Sequence, residues 1–171
     1  VESWNGTAWT EIAELNTNRQ QLGGGGISTL GIVFGGAEPT ASAKTETWDG
    51  SSWTETTDLN TARSGMGGSI GIQTSTLAAG GSTNRTELWN GSTWTETTNL
   101  PTGRQNHAAG GNSTNALFFA GLAPSLTGTS VEWRGAGAPV GAWSTGGNYN
   151  NARRVAGAAG TSSSAAIMFG G

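Results

Sequence analysis

A ten-residue pattern recurs along this chain and sets what it can fold into. Glu2-Ser3-Trp4-Asn5-Gly6-Thr7-Ala8-Trp9-Thr10-Glu11 returns as Glu46-Thr47-Trp48-Asp49-Gly50-Ser51-Ser52-Trp53-Thr54-Glu55. It returns again as Glu87-Leu88-Trp89-Asn90-Gly91-Ser92-Thr93-Trp94-Thr95-Glu96, and a looser fourth copy opens at Glu132-Trp133 and resumes at Trp143-Ser144. The leading tryptophans, Trp4, Trp48, Trp89 and Trp133, are 44, 41 and 44 residues apart. A period of about 40–50 residues is that of propeller blades, where each unit buries its apolar face only by stacking on its neighbours.

Every copy continues alike. A polar stretch leads to an arginine: Leu15-Asn16-Thr17-Asn18-Arg19, Leu59-Asn60-Thr61-Ala62-Arg63, Leu100-Pro101-Thr102-Gly103-Arg104 and Asn150-Asn151-Ala152-Arg153. A Gly/Ala-rich run follows, then an apolar run closed by small residues: Phe34-Gly35-Gly36, Ala79-Gly80-Gly81, Ala120-Gly121 and Phe169-Gly170-Gly171. Asn-Gly or Asp-Gly between two Trp-bearing, Thr-rich segments is a hairpin signal, because both residues tolerate positive φ. No window carries an apolar period near 3.6, and Gly and Thr are poor helix formers. Four strands per repeat are therefore expected, in the second repeat over roughly 65–70, 75–80, 85–89 and 94–98. The Gly/Ala-rich strand belongs innermost, where blades crowd round an axis and only small side chains let backbones approach.

Composition narrows the function classes. Only 11% of the 171 residues are charged and 30 are Gly, a balance that could signal disorder, but eight evenly spaced Trp argue for a packed core. With a net charge of −3 and no basic run longer than Arg153-Arg154, nucleic acid is not an expected partner. No apolar stretch approaches the roughly 20 residues of a membrane-spanning helix. Without Cys there is no disulfide, thiolate metal site or Cys nucleophile. His107 is the only histidine, expected at a loop or strand edge. Asp49 and Asp58 are the only aspartates and stand apart, so no calcium loop is expected. No catalytic residue, cofactor or metal is assigned.

The apolar run ending in Gly-Gly, the Glu-x-Trp, the second Trp and the arginine before the Gly/Ala-rich strand resemble the kelch repeat over essentially the whole chain. Trp stands where kelch repeats usually have Tyr. The Trp-Asn/Asp-Gly-x-x-Trp-Thr dialect resembles kelch-like structural proteins of marine bacteriophages. The resemblance implies an all-β, four-bladed β-propeller as one domain over 1–171. Galactose-oxidase-like chemistry does not carry over, because it needs a Cys-linked Tyr and copper-binding histidines.

The phase of the chain adds an expectation. It starts at the third strand of a repeat and stops after the second, so 154–171 with 1–14 should complete one blade shared between the termini. Structural positions are Trp4, Trp48, Trp89 and Trp133, expected in the core, and Gly35, Gly36, Gly80, Gly81, Gly170 and Gly171. The second Trp of each pair is expected to be more exposed.

Arg19, Arg63, Arg104 and Arg153 have two readings. They could form a ring of guanidinium forks at a channel mouth, gripping carboxylates, phosphates or acidic sugars. They could instead pair internally with Glu2, Glu46, Glu87 and Glu132. Arg134, in the long turn between Trp133 and Trp143, and Tyr149, the only Tyr, mark the irregular repeat as a further binding candidate. The function expected is a non-enzymatic structural or adhesion module of a virion or other extracellular assembly, with other proteins as partners. The alternative is a soluble lectin-like propeller binding surface glycans.

Overall fold

The computed structural model describes residues 1–68, 70–135, 141–148, 152, 157–160 and 166–169, and every regular element among them is a β-strand. The first repeat opens with the hairpin β1 (Glu2–Trp4) and β2 (Trp9–Glu11). There follow β3 (Gly23–Ile27), β4 (Leu30–Phe34), the short pair β5 (Ala37–Glu38) and β6 (Thr40–Ala41), then β7 (Thr45–Trp48) and β8 (Trp53–Thr56). The next unit is β9 (Ile70–Ile72), β10 (Ser75–Ala79), β11 (Thr86–Trp89) and β12 (Trp94–Glu96). After it come β13 (Ala108–Gly111), β14 (Asn115–Phe119), β15 (Ser130–Arg134) and β16 (Ala142–Thr145), and finally β17 (Gly157–Gly160) and β18 (Ala166–Phe169). Three sheets have four strands each, β3-β4-β7-β8, β9-β10-β11-β12 and β13-β14-β15-β16, all antiparallel neighbours in chain order.

The hairpin between third and fourth strands follows from its residues. The side-chain oxygen of Asp49 accepts from the amides of Ser51 and Ser52, each at 2.8 Å, and Asn5 and Asn90 do the same two and three residues on. This is an Asx turn, which a short side chain makes on its own backbone. Those amides, Ser52's first and then Ser51's, hold the Asp49 carboxyl at about 2. The turn aligns the two tryptophans as direct cross-strand partners: Trp4 with Trp9, Trp48 with Trp53, Trp89 with Trp94 and Trp133 with Trp143. Their rings tilt at centroid distances of 5.2–5.5 Å, a geometry worth about 0.5–1.5 kcal/mol beyond area burial.

The first Trp of a pair also reaches inward. The indole N–H of Trp48 donates to Ser28 O, that of Trp89 to Gln73 O and that of Trp133 to Ser113 O, at 2.8–3.0 Å. Each acceptor lies in the turn between the first and second strands of the same sheet, so one side chain ties outer hairpin to inner hairpin. Trp48, Trp89 and Trp133 are buried, as is Trp94, which was expected to be more exposed. Trp4 departs from expectation: it is 50% exposed, because β1 pairs only with β2 among the described residues.

Apolar clusters lie between successive sheets. Ile32 and Phe34 of β4 join Met66, Ala78, Trp89 and Trp94, while Leu77 and Ala79 of β10 join Ala116, Phe118 and Trp133. The innermost strands follow one another, with β3 against β9, β9 against β13 and β13 against β17. Their small residues permit this: a Cβ at Gly25 would stand 3.0 Å from Gly71 O. The first strand of the second repeat starts later than its expected 65–70. Gly65 has φ +66°, and the Gly68 amide donates to His107 O at 2.9 Å, so this stretch serves the next sheet before the ladder with β10 begins at Ile70.

Where a shared blade was expected, the described residues form two separate hairpins. β1–β2 and β17–β18 are each two-stranded, and no ladder joins β18 to β1 among the described residues.

Candidate functional site

Two of the recurring arginine–glutamate pairs occupy the interior, whereas Glu2 is exposed and Glu132 only partly buried. Arg19 Nη1 donates to Glu46 Oε1 at 2.7 Å with both side chains fully buried, and Arg63 Nη2 donates to Glu87 Oε1 at 2.8 Å. The other carboxylate oxygen is held by an asparagine three residues before the arginine. Asn16 gives both its amide N–H and its Nδ2 to Glu46 Oε2, and Asn60 gives both to Glu87 Oε2. The same Nδ2 reaches Trp53 O or Trp94 O on the outermost strand. The segment entering each sheet thus clamps that sheet's third and fourth strands. Burial works against the Arg63 charge, and Glu87 opposes that shift.

The double glycine carries the link onward. Gly36 N donates to Arg63 O and Gly81 N to Arg104 O, both at 2.9 Å, with φ of +101° and +83°. Each arginine therefore hangs by its carbonyl from the preceding sheet and grips its own sheet by its guanidinium. In the third copy Pro101 replaces the clamping asparagine. Arg104 Nη1 lies 3.3 Å from both Ala120 O and Thr129 O, and Glu132 accepts from Arg134 Nη2 at 2.9 Å.

Two shallow grooves open beside Arg104. One, of about 350 Å³, is lined by Ser82, Thr102, Gly103, Gln105, Leu122 and Pro124; the other, of about 230 Å³, by Thr127, Thr129, Thr145 and neighbours. Ser82 Oγ donates to Gln105 Oε1 at 2.8 Å at the rim. Hydroxyl groups, and the Gln105 amide in the first, interrupt linings that are otherwise more apolar than polar, and no aromatic ring borders either. Arg104 itself is 3% exposed. A third groove, of about 310 Å³, is of opposite character: Trp4, Ile12, Ile27, Trp48 and Trp53 line it, between the β1–β2 hairpin and the first four-stranded sheet.

The structure does not gather the expected binding residues at one place. Arg19, Arg63 and Arg104 point inward at the double-glycine ends of the sheets. Arg134 sits at the opposite end of β15, with its side chain 70% exposed. Arg153, Tyr149, Gly170 and Gly171 lie outside the described residues. Asn16 and Asn60 were missed as partners, although Asn recurs three residues before Arg in both segments. His107 immediately precedes β13 and is fully inside, beside Phe118 with ring centroids 5.2 Å apart. Burial first, and the nearby Arg104 charge second, push its imidazole down to about 3.

No family model and no curated protein matches the chain. Among solved structures 116 chains match, and one of them, described as "Structure of YjhT", superimposes with a TM-score of 0.72 at 13% identity. The match covers 90% of this chain and 59% of that one, so this chain spans about three-fifths of the other's length. At such identity the likeness carries the fold alone. Together with the antiparallel four-stranded sheets it is consistent with a propeller-like β fold.

Proposed function

We propose that this chain is a four-bladed, kelch-like propeller unit whose two half-blades, β1–β2 and β17–β18, complement each other, and that it serves as a non-enzymatic structural or adhesion module of a virion or other extracellular assembly. The observation that carries this reading is the direction of the repeat's charges. Arg19–Glu46 and Arg63–Glu87 are turned inward and clamped, so the first three repeats offer outside a compact Asn/Asp-Gly-Ser/Thr turn, uncharged at Asn5 and Asn90 and anionic at Asp49. Glu46 and Glu87 are bound by Arg and Asn rather than facing one another across a cleft, as paired carboxylates must for glycoside cleavage. Compact turns of low charge on a fixed scaffold suit contact with other proteins. Gentle isolation of native particles, followed by detection of this chain, tests the reading. Co-purification with the assembly is expected, and recovery only as free protein counts against it.

One observation favours a lectin-like role as a second reading: the hydroxyl- and amide-lined groove at Ser82, Thr102 and Gln105. Sugars are bound through such groups. A glycan array probed with the native protein and with Gln105→Ala separates the readings. Saturable binding lost in the variant supports a lectin, and an array with no hits removes it.

A further inference from the structure

We infer that the Asn-Gly turns of the outer hairpins promote their own deamidation, so that Asn90 and Asn5 are modification sites at which an asparagine becomes an aspartate. The inference stands on the local geometry of the turns and not on the adhesion or lectin role.

Asn90 is exposed at the tip between β11 and β12. Its Oδ1 accepts from the Ser92 amide at 3.0 Å and the Thr93 amide at 2.9 Å, with the Ser92 hydroxyl a third donor at 3.1 Å. In the first copy the Thr7 and Ala8 amides, each at 2.9 Å, do the same for Asn5 Oδ1. Backbone amides at such distances stabilise an oxygen that gains negative charge when its carbonyl is attacked. The turn at Asp49 shows that this cradle favours the charge. There a carboxylate faces the equivalent Ser52 and Ser51 amides, each at 2.8 Å, and they hold it at about 2, below the ordinary 3.8.

The nucleophile is the next nitrogen in the chain. Ring closure to a succinimide needs that nitrogen to attack Cγ. Gly91 N and Gly6 N donate to no acceptor among the described residues, so no bond of their own restrains them. A glycine has no Cβ to hinder the approach, and even an added one would meet nothing closer than Thr74 O at 3.4 Å beside Gly91. The reaction balances with water as the one co-reactant. The Gly91 N–Cγ bond forms, the Cγ–Nδ2 bond breaks, and Nδ2 leaves as ammonia with the proton from Gly91. Water then adds across the new N–Cγ bond, restoring the peptide N–H and leaving a carboxyl at position 90.

The product already has a counterpart in the fold. Asp49 makes the same turn and keeps Trp48 paired with Trp53, as Trp89 is paired with Trp94. Reaction at both sites takes the formal net charge from −3 to −5, turning two uncharged outer turns anionic without changing the hairpin. Asn112 separates the cradle from the nucleophile. Its Oδ1 accepts from the Thr114 amide at 3.0 Å and the Asn115 amide at 2.9 Å, but the next residue is Ser113. Ser113 is anchored by its hydroxyl, 2.7 Å from Ser75 Oγ, and by its carbonyl, which accepts from the Trp133 indole, so its nitrogen is not free to close the ring.

The test is to incubate the chain in mildly alkaline buffer, with and without enough urea to unfold it, and to read conversion at each asparagine by peptide mass mapping. A buried oxyanion-hole donor is worth about 10²–10³-fold and an exposed one less, so Asn90 and Asn5 are expected to convert roughly tenfold faster folded than unfolded. Asn112 should lag well behind both in the folded chain. Conversion at Asn90 that is no faster in the folded chain than in urea overturns the inference, as does Asn112 keeping pace with Asn90. Asn90→Asp tests the product: thermal unfolding and tryptophan fluorescence like those of the parent support it, and loss of the folded signal contradicts it.

Discussion

A carboxylate removed from water must be satisfied on both oxygens, and Glu87 is, by Arg63 on one and by Asn60 twice on the other. Removing one partner of such a pair strands a buried charge, at a cost of about 3–5 kcal/mol. Glu87→Gln should therefore lower stability by about that amount in denaturant unfolding, a large share of the roughly 5–15 kcal/mol a domain has. The double replacement Arg63→Met with Glu87→Leu should recover most of it, because two apolar groups leave no charge behind. His107 supplies a pH dependence. Its folded value, about 3, lies below the ordinary 6.5, so between those values the unfolded chain binds the extra proton. Its contribution is complete above pH 6.5 and is lost as pH falls toward 3, with a slope approaching about 1.4 kcal/mol per pH unit. Unfolding of His107→Phe across that range should show a flatter acid limb. The arginine–glutamate matching was legible because both recur in step with the tryptophans. The asparagine was not singled out, since Asn is common throughout this chain and its role appears only when two strands are brought side by side.

At the level of elements, the turns were legible and the strand limits were less so. Asn-Gly and Asp-Gly predicted the outer hairpin because the turn is local chemistry. The first strand of the second repeat was misplaced because Gly68 bonds across to His107, a contact between sheets that no local pattern announces. The double glycine separates two demands that sequence alone merges, backbone freedom and space. Gly36 and Gly91 share a φ near +100°, but a Cβ at Gly36 would meet Gln20 O at 2.8 Å, whereas at Gly91 the nearest atom, Thr74 O, is at an ordinary 3.4 Å. Both Ala variants should carry the strain of a left-handed residue, about 1–3 kcal/mol. Gly36→Ala should be measurably the more destabilising in thermal unfolding, and equal losses would show that space plays no part. In the irregular repeat, Pro101 takes the clamping position, so the third sheet holds Glu132 differently from its predecessors.

For the whole molecule, the repeat count was plain in the spacing of Trp4, Trp48, Trp89 and Trp133. The relation between the ends was not, because whether two half-blades meet depends on the accumulated angle between sheets rather than on any residue. The resulting array is clamped by Arg, Asn and Gly-Gly at its first two full sheets, and among the described residues it carries two further two-stranded hairpins, β1–β2 and β17–β18. Amide hydrogen exchange followed at several protein concentrations tests most directly whether those hairpins complete each other within one chain, as the proposed propeller unit requires. The account predicts that β1 and β18 are protected to the same degree at every concentration, alongside β4, β10 and β14. Free exchange in β1 and β18, or protection that appears only as concentration rises, would contradict it.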